Sequence, residues 1–290
     1  ALSMNIRKNQ DDIKAFTAND ENKFFRGAAF TFQRRNFEIS AFYSSKLRDA
    51  NRVVINEEGA EHFTSFQGSG YHRTPSEICD EKSVRERVAG ANVNFKKDPL
   101  KIGLTVVSYD FSKFMEGGDA LKDVHDFSGD HLWNTGVDYA LNLKNLQFFG
   151  EGTQSARHWG HLHGALFRAN KYATFSAVYR YFQPGFFSLN ASAFAESSQS
   201  TNEEGFYMGF EVYPLRKITL SGYIDFYHFP WPKFRVSAPS RGNDFLIQVG
   251  YKPGRKSEMI LKLHAEDNPL DADIDSLPSP VIESTHKTSL

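Results

Sequence analysis

The chain has 290 residues, with 34 Lys and Arg against 35 Asp and Glu and a net charge of -1, so it carries no basic footprint for nucleic acid. Hydrophobic residues make up 40% and charged ones 24%, which excludes compositional disorder, and no uninterrupted apolar run reaches the ~18 residues that a membrane helix needs. One cysteine, Cys79, excludes an internal disulfide, and 27 Phe with 12 Tyr point to strands that are apolar on one face only.

Residues 1–23 are polar, read as loop, and contain no charged-then-apolar leader. From Phe24 the chain alternates with a period of two, the signature of a half-apolar strand. Phe37, Ile39, Ala41 and Tyr43 share one face, and Glu38, Ser40 and Ser44 the other. The same split recurs near Ala89–Phe95, Leu100–Val106, Trp133–Leu143, Ala173–Tyr181, Phe206–Val212, Ile218–Phe226, Phe245–Tyr251 and Met259–Leu263. Tight polar turns such as Lys144-Asn145 and Pro253-Gly254-Arg255 alternate with long connections over 47–82, 113–130, 183–204 and 228–243. The connection near Thr153–His158 is shorter.

Strands of roughly 10 residues match a tilted membrane strand. In lipid every backbone group must be paired, so such strands close on themselves. Short turns at one rim and long loops at the other are the outer-membrane arrangement. The fold class predicted is therefore all-β, an antiparallel up-and-down transmembrane β-barrel of about 12 strands. The barrel region is placed at 24–265 and a polar C-terminal segment at 266–290. Both ends fall at the long-loop rim, which predicts further strands beyond this stretch. Leu104, Val137, Phe175, Leu220 and Ile247 are expected mid-strand facing acyl chains. The alternative is a soluble all-β carbohydrate-binding or interaction protein, because a sandwich also alternates. It is disfavoured by a polar face rich in Gly, Asn, Ser and Thr.

Three segments carry a resemblance: Phe24-Phe25-Arg26-Gly27-Ala28-Ala29, Tyr71-His72-Arg73-Thr74-Pro75-Ser76-Glu77, and Phe229-Pro230-Trp231-Pro232 leading to Ala238-Pro239-Ser240. They resemble segments of large outer-membrane barrel proteins of Bacteroidota, often labelled for a helix-hairpin-helix segment. The resemblance spans roughly Phe24 to Ala265 and implies an outer-membrane location without supplying an activity. No helix-hairpin-helix segment is read here, so no nucleic-acid role is carried over.

The alternation puts Glu38, Lys101, Asn134, Asp138, Arg180, Glu211, Asp225 and Lys262 in the lumen, where mixed charges suit a water-filled channel or an ion-paired plug. Tyr71, His72, Arg73, Thr74, Pro75, Ser76 and Glu77 form a compact polar stretch. Thr74 is held extended by Pro75, and Ser76/Glu77 could open a short helix. The stretch either folds over the lumen or lies on the surface against Phe63 and Phe66. Phe229, Trp231 and Phe234 form an aromatic, Pro-stiffened patch, either a docking surface or a loop anchored on the rim by Trp231. His161 and His163 would share a strand face, but with His158 they lack acidic or Cys partners at metal-site spacing, so no metal site is read. No nucleophile elbow, phosphate loop or EF-hand is present. The expectation is no enzyme and no cofactor. The predicted partners are the bilayer with its lipopolysaccharide and other outer-membrane proteins.

Overall fold

The structure is a computed structural model that describes Ile6, Ile13 and residues 24–54, 61–254, 257–271 and 282–289. Residues 1–23 otherwise lie outside the described residues. The strands are β1 (Gly27–Arg34), β2 (Phe37–Arg48), β3 (Ala50–Val54), β4 (Glu61–Phe66), β5 (Val84–Lys97), β6 (Leu100–Met115), β7 (Gly129–Asn142) and β8 (Leu146–Ser155), followed by β9 (His158–Asn170), β10 (Ala173–Phe182), β11 (Glu203–Leu215), β12 (Ile218–Phe229), β13 (Ser240–Gly254), β14 (Ser257–Asp271) and β15 (Ile282–Ser289). One short helix, α1 (Pro75–Asp80), interrupts the first long loop.

The sheet runs β1-β2-β5 and then in chain order to β15, every neighbour on this path antiparallel. This is the up-and-down, all-β architecture expected. Among the described residues β1 pairs only with β2 and β15 only with β14, so the sheet is not closed. The C-terminal expectation needs correction. Residues 266–290 are not all loop, because β14 continues to Asp271 and β15 pairs His264↔Ser289 through Asp271↔Ile282. The sequence over 282–289 has no alternating apolar period, so periodicity gave it no signal.

Two-residue turns join β1 to β2, β9 to β10 and β11 to β12 at one rim. At the opposite rim, β8 turns into β9 through Ala156 and Arg157, whose φ values of 47° and 71° are left-handed. That pair is the primed-turn geometry that matches strand twist.

The period of two decides which face is buried. In β10, Ser176, Val178, Arg180 and Phe182 are buried, while Phe175 and Tyr179 between them are exposed. In β11, Glu203, Gly205, Tyr207 and Gly209 are buried, and Phe206 and Met208 are exposed. Elsewhere Leu104 is 54% and Trp133 60% exposed, whereas Arg180 and Glu203 are 0% exposed. A water-soluble sheet buries its large apolar side chains. Here Arg180, Glu203 and Glu86 are buried on the inward face while Leu104, Val137 and Trp133 stand exposed on the outward one, which suits lipid outside. Leu104, Val137 and Ile247 are interior to their strands, but Phe175 and Leu220 are third residues of β10 and β12, close to the short-turn rim.

Topology follows from the loop lengths. Phe234, 77% exposed, is at the tip of the β12–β13 connection beside the Lys233↔Val236 bridge. Gly254 is exposed at the other end of β13. In a Cys79→Ser background, an impermeant thiol reagent on intact cells is expected to modify Phe234→Cys and spare Gly254→Cys. Labelling of position 254 alone would invert the topology.

Candidate functional site

Inward-facing side chains meet two connections that fold against the inward face of the sheet. Arg180, on β10, donates Nε to Glu203 Oε1, a 2.5 Å contact, and Nη1 to Asp225 Oδ1 at 2.9 Å. The three stand on adjacent strands, β10, β11 and β12, so strand pairing itself assembles the site. Gly205 faces Arg180 in the register, and a Cβ there would come within 2.4 Å of the guanidinium carbon. A larger residue there would push the guanidinium from its place across β11.

A second buried network sits on β2 and β5. Glu86 receives Arg48 Nη1 at 2.9 Å and faces Lys46 Nζ at 3.6 Å. Sequence reasoning missed Lys46, Arg48, Glu86 and Glu203. The parity that places Glu38 and Ser44 inward also places Lys46 and Arg48 inward, so extending the strands by one turn of the pattern would have found them.

Each network carries a loop aromatic. Arg48 lies 3.9 Å from the Phe66 ring centroid, and Arg180 lies 5.5 Å from that of Phe194. Phe66 belongs to the β3–β4 hairpin. Phe63 of the same hairpin is fully buried against Ala50, Val84, Val88, Tyr109, Phe111 and Leu132. Phe194 belongs to the β10–β11 connection, residues 183–202, which packs along the lumen. Phe187 and Leu189 join the first apolar cluster, and Phe194 joins a second formed by Ile6, Ala140, Phe149, Val178 and Tyr207. Ile6, read from sequence as part of a polar loop, is therefore buried inside.

The predicted lumen residues separate by environment. Glu38 is buried and takes Lys96 Nζ at 2.8 Å. Asn134 is buried near Ser188 Oγ at 3.4 Å. Lys101 and Asp138 are half-buried on the inward rows, and Glu211 is half-buried and bonded by the Tyr213 hydroxyl. Lys262 is exposed, although its register partner is Gln248.

The Tyr71 to Glu77 stretch carries the start of the short helix α1 on exposed chain. Its residues from Tyr71 to Ser76 are exposed. Thr74 caps α1 in a capping box with Glu77, and His72 Nε2 lies 3.0 Å from Asp49 Oδ2. The two hydrogen bonds of such a box satisfy amides that the helix cannot. Backbone N–H groups of Arg73 and Thr74 also hold the Glu77 carboxyl below its ordinary range. Phe63 and Phe66, expected to support this stretch, pack instead in the first apolar cluster with Phe111.

The aromatic patch is divided. Phe229 ends β12 and is buried beneath Lys233, whose Nζ is 3.4 Å from the ring centroid. Trp231 donates its indole N–H to Leu121 O at 2.9 Å and its backbone N–H to Asn202 Oδ1 at 2.9 Å. It anchors three connections to one another at the rim. Phe234 alone projects into solvent. His161 and His163 face outward among Tyr139, Tyr179 and Tyr181, and among the described residues no group of three potential ligands could hold a metal ion.

Glu196, in the 183–202 connection, lies among carboxylates. Partial burial, then Asp225, Glu203, Asp244 and Glu266, raise its pKa from 4.5 to about 7, with Lys233 as a nearby opposing charge. A raised carboxyl stabilises the docked loop in its protonated form, and that contribution is lost as pH climbs through the folded value. Protease clipping of the docked loop is therefore expected to accelerate between about pH 5 and pH 8. Glu196→Gln should flatten that rise.

No family model matches the chain, and no curated protein does. Among solved structures, the crystal structure of the Ralstonia pickettii toluene transporter TbuX aligns at 10% identity with a TM-score of 0.24, covering 84% of this chain and 69% of that one.

Proposed function

We propose that this chain is the wall of an outer-membrane conduit, a channel or transport component without catalytic chemistry. The observation that carries the reading is the inverted sheet. Arg180, Glu203, Glu86 and Asp225 are buried on the inward face, while Leu104, Val137 and Trp133 stand exposed on the outward one. Lipid with its lipopolysaccharide is the environment that the outward face fits, and other outer-membrane proteins are partners that the long-loop rim could meet. Charges lining a narrow passage bias the local concentration of counter-ions, so the inward residues set which solutes pass.

Loops packed against the inward face support a resting form that is closed. The test is conductance in planar bilayers. The intact protein is expected to be nearly silent, and a variant lacking residues 186–199 is expected to conduct. Silence of both forms would remove the conduit and leave the second reading, a membrane scaffold, which the packed interior favours.

A further inference from the structure

Two of the connections that pack on the inward face are wired differently. The β3–β4 hairpin is part of the sheet. β4 pairs in parallel with β6 at His62↔Phe114 and Phe63↔Met115, and the Glu116 N–H donates to Phe63 O at 2.9 Å. Moving it would break backbone ladder bonds. The 183–202 connection contains no strand or helix. Its anchors are mostly side-chain contacts. Glu203 accepts the backbone N–H of Glu196 at 2.9 Å and of Ser197 at 3.0 Å. Asn190 Nδ2 donates to the Tyr109 hydroxyl at 3.0 Å, Ser155 Oγ donates to Phe187 O, and Phe194 meets Tyr207 edge-on at 5.0 Å between centroids.

We propose that the 183–202 connection is a releasable plug, and that the Glu203 carboxylate is the pin that holds it in the lumen. The geometry makes release affordable. Glu203 serves two partners at once, the wall through Arg180 and the loop through two amides. If the loop leaves, Arg180 keeps both Glu203 and Asp225, so no buried charge loses its counter-charge, the event that makes breaking a buried pair costly. Water entering the lumen takes over the amides and the freed carboxylate oxygen. The buried charges of the wall are therefore paired with or without the loop, which is what an order–disorder switch requires of them. The segment Ser197-Ser198-Gln199-Ser200-Thr201-Asn202 is polar and tolerates solvent once released.

Release is a property of the loop and conduction a property of the pore, so the two are read separately. Residue 194 becomes the probe, as Phe194→Cys in a Cys79→Ser background, folded in liposomes and exposed to a maleimide too large to enter a filled lumen. Two variants loosen the pin. Glu203→Gln removes the charge from the wall side. Ser197→Pro removes one amide donor from the loop side and leaves every wall charge in place. Both are expected to raise the labelling rate at least tenfold, while heat-modifiable migration on gels stays that of a folded barrel. Unchanged labelling in a folded Ser197→Pro protein and a folded Glu203→Gln protein would overturn the plug. Faster labelling without any conductance would keep the plug and overturn the conduit reading on which its purpose rests. A Phe194→Cys/Tyr207→Cys disulfide should return labelling of an adjacent site, Ala195→Cys, to the protected level in the Glu203→Gln background, and failure to do so would also count against the plug.

Discussion

Arg180→Gln is expected to cost the folded barrel about 3–5 kcal/mol, because it strands buried carboxylates without a counter-charge. Glu203 and Asp225 both depend on this guanidinium, at 2.5 Å and 2.9 Å, and all three side chains lie at 0–9% exposure. The geometry separates charge from packing. In the triple variant Arg180→Gln/Glu203→Gln/Asp225→Asn the shape changes little and no ion remains, so most of the loss should be recovered. Urea unfolding from liposomes measures both. A triple variant as unstable as the single one would mean that the cost comes from lost packing over Gly205 and Phe194, not from unpaired charge.

Leu104→Arg is expected to cost roughly 2–4 kcal/mol, the depth-dependent penalty of a lipid-facing cation. Leu104 is flanked on the outward face by Val93 and Val137 and is 54% exposed. The neighbouring Thr105 faces inward, where its hydroxyl receives Asn92 Nδ2 at 2.8 Å. Thr105→Arg should therefore cost much less, since the new cation meets the polar lumen. Equal costs, measured by the same unfolding in liposomes, would erase the distinction between faces.

The architecture was legible in the sequence wherever one face had to be apolar. Alternation from Phe37 onward fixed the strand parity, and parity alone predicted that Glu38, Asn134, Arg180 and Asp225 point inward, where the structure buries them. Phe229 shows the limit of reading by residue type. As an aromatic near prolines it looked like loop surface, yet it continues the parity of Asp225 and Tyr227 and is buried. β15 was illegible because its sequence, almost wholly polar, has no hydrophobic period. The plug was illegible for another reason. The 183–202 connection has no periodicity, and its placement depends on Glu203 meeting two amides and on Phe194 meeting Arg180 and Tyr207, contacts that exist only once β10, β11 and β12 are side by side. Thr74 to Glu77 was half legible. The short helix expected to open at Ser76/Glu77 is α1, but it starts at Pro75 with Thr74 as its cap.

The most direct test of the account is a cysteine scan along β6 and β7 with an environment-sensitive fluorophore, in liposomes whose acyl chains carry bromine as a contact quencher. Labels at 104, 106, 135 and 137 should be quenched by lipid, and labels at 103, 105, 136 and 138 should not. A quenching pattern without the two-residue period, or quenching at neither set, would contradict a barrel wall that turns its apolar face to lipid and its charges to the lumen.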